Sequence, residues 1–321
     1  MDFTNLSDYN RTETYRPDLP PWLFNFVIPI FFSLVCVIGL IGNGIVIYII
    51  LRYPGMTSLP NLYILNLASA DFLFLLGLPF MTYFNTTKRW IFGNVMCKVV
   101  MGIDGSNMFT GIFTLTAMAI DRYLAIVHIV WSKNYRTVRK TKVVCAATWI
   151  GAFTVTVPLW MYSATQTFDG VTVCNVICPV LVGQLFIIYT FLFGFVLPLI
   201  CIITCYCRIL RYLTNGRSRQ RRRQFHVGRV GAMVLFSVIL FVICWLPFWI
   251  IRLLLLSDDH SLTFALQVSY YVSVFLSSIN SCLNPLVYAY FKQDFQDVIK
   301  HCICDCKSHD ETIPRFRCSS Y

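Results

Sequence analysis

The chain has 321 residues, 57% hydrophobic and only 13% charged. Soluble domains carry roughly a quarter of their residues as charges, so a water-soluble globular enzyme is excluded. The net charge of +11 does not point to nucleic acid, because the cations gather in a few short connecting segments.

Met1 to Tyr15 are polar and hold no apolar cleavable core, so the first apolar run is expected to act as its own insertion signal. Apolar runs follow near 26–52, 60–86, 94–128, 139–162, 184–213, 230–256 and 263–290. A helix of about 20 apolar residues crosses a hydrocarbon core. Without water the backbone must satisfy its own hydrogen bonds, so each run predicts a helix. The expected fold is all-α, a seven-transmembrane helix bundle over 26–290. It is preceded by an extracellular tail over 1–25 and followed by a short amphipathic helix over 291–304 and a cytoplasmic tail over 305–321. The spans nearly use up the 321 residues, so no further soluble domain is expected within them.

Arg52 follows the first run, and Lys133, Arg136, Arg139, Lys140 and Lys142 lie between the third and fourth. Arg217, Arg219, Arg221, Arg222 and Arg223 lie between the fifth and sixth, while the opposite loops hold little beyond Lys88 and Arg89. Positive loops stay cytoplasmic, which places the N-terminus outside. The arginine run is also suited to a cytosolic partner or to anionic membrane lipid. Sequons at Asn5, Asn10 and Asn85 all fall on the outer side, as glycosylation of a surface protein requires.

Of the 14 cysteines, Cys97 opens the third span and Cys174 and Cys178 lie in the next outer loop. An oxidising exterior favours a disulfide there; Cys97 with Cys174 is preferred, and Cys178 is the alternative partner. Most of the others sit in spans as small packers. Cys302, Cys304 and Cys306 follow the last span and are candidates for palmitoylation. No paired C-x-x-C spacing supports a zinc site there, and no metal cofactor is expected.

Ionisable groups inside spans are costly and point to function. Asp71 falls mid-span, Asp104 about two turns inside the outer end of the third span, and Asp121 and Arg122, followed by Tyr123, at its inner end. Asp104 and Arg122 are separated by about 27 Å of helix at 1.5 Å per residue. One helix thus carries an acid reachable from outside and an ion pair near the cytosol. Pro158, Pro198, Pro247 and Pro285 each remove a backbone hydrogen bond and let a span bend, with Asn280, Ser281 and Asn284 placed to re-satisfy freed carbonyls. The segment Phe291–Val298 alternates apolar and polar residues as an interfacial helix does.

Gly42-Asn43, Leu67-Ala68-Ser69-Ala70-Asp71, Asp121-Arg122-Tyr123, Trp149, Pro198 with Tyr206, Cys244-Trp245-Leu246-Pro247 and Asn284-Pro285-Leu286-Val287-Tyr288 follow one another in order. The ordered set resembles rhodopsin-type, class A, G-protein-coupled receptors, over residues 26 to about 304. Within that family Asn61–Ala68, Asp104-Gly105-Ser106-Asn107, Phe186–Phe191 and Asn280–Pro285 are similar to somatostatin receptors. These belong to a group that includes opioid, galanin and melanin-concentrating-hormone receptors. The chain departs from somatostatin receptors at Met108, where they carry glutamine, and at Ser278, where tyrosine is usual. Leu115–Tyr123 looks equally like a melanin-concentrating-hormone receptor.

The resemblance implies a cell-surface receptor for an extracellular cationic peptide, coupled to a heterotrimeric G protein of the inhibitory class. It implies a pocket of Asp104, Met108, Trp245 and Arg252, with Asp104 the counter-ion of a ligand amine through a charge-assisted hydrogen bond. Arg252 takes a ligand carboxylate or points to solvent from a helix end. Asp71, Asn107, Asn280 and Asn284 match a cluster that holds an allosteric sodium ion in related receptors, although Gly111 stands where a serine is frequent. Trp245 with Phe241, Pro198 and Ile112 resembles the packed switch below the pocket. Arg122 pairs with Asp121 when inactive, and Tyr206 and Tyr288 hold the open form. Ser308, Thr312, Ser319 and Ser320 suit phosphorylation and desensitisation through arrestin.

Rival readings are weaker. An opsin needs a Schiff-base lysine within the last span, and Ile279 to Tyr290 has none. An aminergic receptor needs paired serines in the fifth span, which are missing. A transporter or channel is expected to show internal repeats, and a membrane hydrolase a Ser–His pair, but all five histidines fall at helix ends or in loops.

Overall fold

A computed structural model describes residues 22, 26–53, 56, 58–130, 132, 136–215, 221–256 and 264–299. Asn5, Asn10, the cysteines at 302, 304 and 306, the tail hydroxyls, Lys133, Arg217 and Arg219 lie outside the described residues.

The helices are α1 Ile28–Arg52, α2 Leu59–Thr87, α3 Gly93–Val127, α4 Val138–Val155, α5 Val157–Tyr162, α6 Val180–Phe191, α7 Leu197–Asn215, α8 Arg221–Leu254 and α9 Phe264–Phe291. A further helix, α10, covers residues 293–299. The arrangement is a helical bundle with α3 at its centre, packed on α2, α4, α5, α7 and α8, while α9 closes against α8 and α1. Among the described residues six stretches are long and apolar enough to cross a membrane, one of them running from Val180 to Thr214 through α6 and α7. The fourth span falls short on composition because Arg139, Lys140 and Lys142 sit in the first turns of α4.

The prolines explain the breaks. Pro158, at the start of α5, separates it from α4 at Thr156. Pro198 cannot donate to the carbonyl four residues back; a π-helical segment, Leu192–Val196, widens the chain just before it. Pro247 and Pro285 stay inside continuous helices.

Polarity is turned inward. Exposed Ile30, Leu34, Ile41, Ile45 and Tyr48 form the outer face of α1, while its buried face includes Asn43. Asn66, Asp71, Asn107 and Asn284 are likewise buried. Where lipid replaces water, polar groups gain only by meeting each other inside the bundle. Asn66 shows how: its Nδ2 donates to Thr114 Oγ1 (2.8 Å) and Thr148 Oγ1 (3.1 Å), and its Oδ1 accepts from Trp149 Nε1 (2.9 Å). One amide therefore ties α2 to α3 and α4.

The outer loop holding Cys174 is folded rather than irregular. Ser163–Phe168 (β1) and Val171–Val176 (β2) pair antiparallel, with Thr165 opposite Cys174. Asp169 and Gly170 both have positive φ, 47° and 78°, the turn geometry that an Asp-Gly pair supplies to a two-residue hairpin. Alternating β-branched residues on both sides carry the strand signal, which hydropathy alone passes over. The disulfide Cys97–Cys174 ties β2 to the first turn of α3, and Cys178 is free and buried.

Close approach of α3 and α5 requires glycine. A Cβ on Gly102 would lie 2.3, 2.4 and 2.5 Å from Cε2, Cδ2 and Cζ2 of the Trp160 ring, whereas one on Gly44 would meet only Phe72 at 3.7 Å. Gly102→Ala is therefore expected to cost about 1–3 kcal/mol through overpacking, and Gly44→Ala close to nothing. Thermal unfolding of the purified variants checks the contrast, and equal melting points would contradict it.

Candidate receptor site

A cavity of about 210 Å³ opens between α2, α3, α6, α8, α9 and the hairpin. Its lining includes Asp104 and Met108 from α3, Trp245, Trp249 and Arg252 from α8, and Ser278 from α9. Most of the remaining surface is aromatic or aliphatic, so the few polar groups decide orientation. Asp104 is half-buried. Arg252 is 6% exposed and lies 5.3 Å from the Phe248 ring centroid and 5.7 Å from that of Tyr270. It is thus held among aromatic rings and does not reach for solvent from the helix end.

The sequon asparagine Asn85 also lines this cavity, within the last turns of α2. Its partner hydroxyl, Thr87 Oγ1, donates to Tyr83 O at 2.9 Å. Asn85 is partly exposed in the last turns of α2, at the edge of the cavity lining.

Below the cavity an aromatic column descends. Trp245 stacks on Phe241 with centroids 5.9 Å apart, and Phe241 on Phe195 at 6.3 Å. Ile112 is fully buried in the same core. Trp249, not singled out from the sequence, packs on Phe191 at 5.5 Å; its four-residue offset from Trp245 is the helical spacing that places both on one face.

Deeper still, Asp71, 2% exposed, accepts from Ser281 Oγ at 2.7 Å and from Asn284 Nδ2 at 2.7 Å. Asn107 Nδ2 reaches Ser281 Oγ at 3.4 Å, and Asn43 Nδ2 donates to Ser281 O at 2.9 Å. Asn280 makes no hydrogen bond to this cluster among the described residues, and Ser281 takes the place expected of it. The i, i+3 spacing of Ser281 and Asn284 was the available signal, since it puts both on one helical face.

At the inner end Arg122 Nη2 lies 2.5 Å from Asp121 Oδ2. A second cation joins them: Arg136 Nε and Nη2 donate to Asp121 Oδ1 and Oδ2 at 2.7 and 2.9 Å. Sequence reasoning treated Arg136 as one of several orientation charges, because nothing local distinguishes it from its neighbours. Tyr123 turns away and its hydroxyl meets His128 Nε2 at 3.0 Å. Tyr206 Oη donates to Gly231 O at 2.9 Å, tying α7 to α8. Tyr288 is 1% exposed, with no partner for its hydroxyl among the described residues. Beyond α9, Lys292 is buried and donates to Asn61 Oδ1. Burial pulls its ammonium below the usual lysine range, against the opposing charge of Asp294.

A bundle with an outer acid-bearing cavity and an inner Asp–Arg pair on the same helix defines a seven-helix signalling receptor. The family model for the seven-transmembrane receptors of the rhodopsin family matches residues 42–288, and the chain belongs to that family. It is 40% identical to the somatostatin receptor type 5 of Bos taurus, over 87% of this chain and 76% of that one. It is 39% identical to the type 2 receptor of Mus musculus over 92% of this chain and 80% of that one. With the type 3 receptor of Homo sapiens it shares 39% identity, over 89% of this chain and 71% of that one. The protein is a multi-pass plasma-membrane receptor of the peptide-receptor class and not an enzyme.

Removing one partner from a buried charge cluster destabilises the arrangement that needs it. Arg136→Ala is expected to raise ligand-free guanine-nucleotide exchange about fivefold, equivalent to about 1 kcal/mol. Unchanged basal exchange at equal surface expression would remove Arg136 from the inactive lock.

Proposed function

We propose that this receptor binds an extracellular cationic peptide of somatostatin type in the outer cavity and activates an inhibitory heterotrimeric G protein. The observation that carries the reading is Asp104, half-buried in an aromatic cavity whose floor, Trp245, continues through Phe241 and Phe195 into the bundle. A ligand amine gains a charge-assisted hydrogen bond there. The relatives' names supply the peptide class, and the departures at Met108 and Ser278, both in the cavity lining, supply a reason for a different preference within it.

Ligand acts by favouring the arrangement in which the α8 inner end has moved out. That movement breaks the Tyr206–Gly231 contact and frees Arg122 from Asp121, so that Arg122, Tyr206 and Tyr288 can hold the open cleft. A sodium ion in the Asp71 cluster opposes it. The donor set suits a hard cation: Asp71, Ser281, Asn284 and Asn107, whose buried Oδ1 meets no donor among the described residues. Arrestin, palmitoylation of Cys302, Cys304 and Cys306 and glycosylation of Asn5, Asn10 and Asn85 complete the proposed life cycle at the lipid membrane.

Two measurements test this. Cells expressing the receptor are expected to lower stimulated cAMP in a saturable dose series of somatostatin-type peptide, and Asp104→Asn to abolish the response. Silence with surface expression intact would redirect the search to opioid-, galanin- or melanin-concentrating-hormone-type peptides. Sodium chloride is expected to weaken agonist binding relative to potassium chloride, and Asp71→Asn to erase that difference; a difference that survives would remove the ion from this cluster.

A further inference from the structure

The outer cavity is electrically divided. Its α3 wall supplies Asp104, an acceptor. Its α8 wall supplies Trp245, Trp249 and Arg252, spaced i, i+4 and i+7 along one helical face. The indole N–H groups of Trp245 and Trp249 are buried and meet no acceptor among the described residues. Among the described residues the ion pairs are Arg122–Asp121, Arg136–Asp121 and Lys292–Asp294, so Arg252 and Asp104 line one cavity and feel each other's charge without forming an ion pair at contact distance. Arg252 is nevertheless 6% exposed.

A guanidinium carries five N–H donors in a plane. The ring faces of Phe248 and Tyr270 favour its charge but do not satisfy those donors in the way a carboxylate does. Burying a cation without a carboxylate is costly, and a ligand that brings one offsets that cost. The planar fork matches a carboxylate at two points, which an ammonium or amide partner cannot do. A ligand amine that pairs with Asp104 takes up the carboxylate whose charge reaches Arg252 across the cavity, and leaves the donors of this second wall unmet.

We propose that the ligand is dipolar: besides the cation on Asp104 it carries a carboxylate that docks on Arg252, beside the free indole N–H of Trp249. This deepens the peptide-receptor reading and rests on it. The carboxylate is either a peptide C-terminus or an aspartate or glutamate side chain. Arg252 is then the specificity residue that separates acid-bearing peptides from purely cationic ones.

The full-length receptor in cell membranes is titrated with lysine-containing cyclic peptides of somatostatin type, built as carboxylate and amide twins. In one arm the C-terminus is acid or amide; in the other a single aspartate or asparagine moves around the ring. In one arm the carboxylate twin is expected to be about tenfold more potent or better, the scale of a charge-assisted over a neutral contact. The gap closes in Arg252→Gln, with surface expression as the folding control, while Asp104→Asn abolishes the response to both twins. Whichever arm shows the gap identifies the source of the carboxylate.

A second readout needs no agonist. Thermal unfolding of the purified receptor is followed with millimolar lysyl-tryptophan or its amide, and the acid is expected to stabilise more, an excess lost in Arg252→Gln. Equal shifts, zero included, overturn the proposal, as does a gap that survives Arg252→Gln. A carboxylate gap that persists while Asp104→Asn weakens neither twin overturns only the counter-ion role of Asp104, so the two failures are distinguishable.

Discussion

A buried carboxylate ties this bundle together. Asp71 sits at 2% exposure and accepts from Ser281 and Asn284, while Asn107 and Asn43 close on Ser281 from two further helices. That knot joins α1, α2, α3 and α9. In hydrocarbon, apolar side chains gain nothing from leaving lipid for one another, so association depends on packing and on polar groups that have nowhere else to go. The Asn66 amide repeats the device between α2, α3 and α4. Together the two sites tie α1, α2, α3, α4 and α9, and in the proposed mechanism α7 and α8 move against that half.

The central helix gives that movement two ends. Asp104 faces the outer cavity and Asp121–Arg122 lie at the inner end of the same helix. Between them Trp245, Phe241 and Phe195 form a column of rings that reaches across α8 and the π-widened stretch before Pro198. Packed interiors of this kind switch between arrangements instead of deforming smoothly. In the proposed mechanism a small displacement of Trp245 by a ligand is converted into a change at the Tyr206–Gly231 and Arg136–Asp121–Arg122 contacts.

Much of this was legible before folding was considered. Hydropathy marks the helices because lipid demands it, and the acids and asparagines inside the spans announce the site because nothing else keeps them there. What escaped reading has a common physical cause. Ser281 was hidden beside Asn280, since one residue along a helix turns the side chain by about 100° and adjacency says little about facing. Arg136 was hidden among loop cations, because its bidentate contact with Asp121 depends on how the loop between α3 and α4 returns. The hairpin over the cavity was hidden by its polarity, although Asp169-Gly170 and the flanking valines and threonines carry its signal.

The sequence by itself determined the class of molecule: seven apolar runs, their orientation, the family motifs and the candidate acid on the central helix. These follow from one-dimensional quantities, length, hydropathy and charge order, which a membrane reads almost residue by residue. Only the tertiary structure decided which polar groups meet. It put Asn85 beside the cavity, placed Ser281 in the Asp71 cluster and buried Arg252 among rings instead of letting it reach water. Those outcomes depend on helix rotation and on contacts between residues far apart in the chain, where an error of one residue points a side chain at lipid instead of at the site.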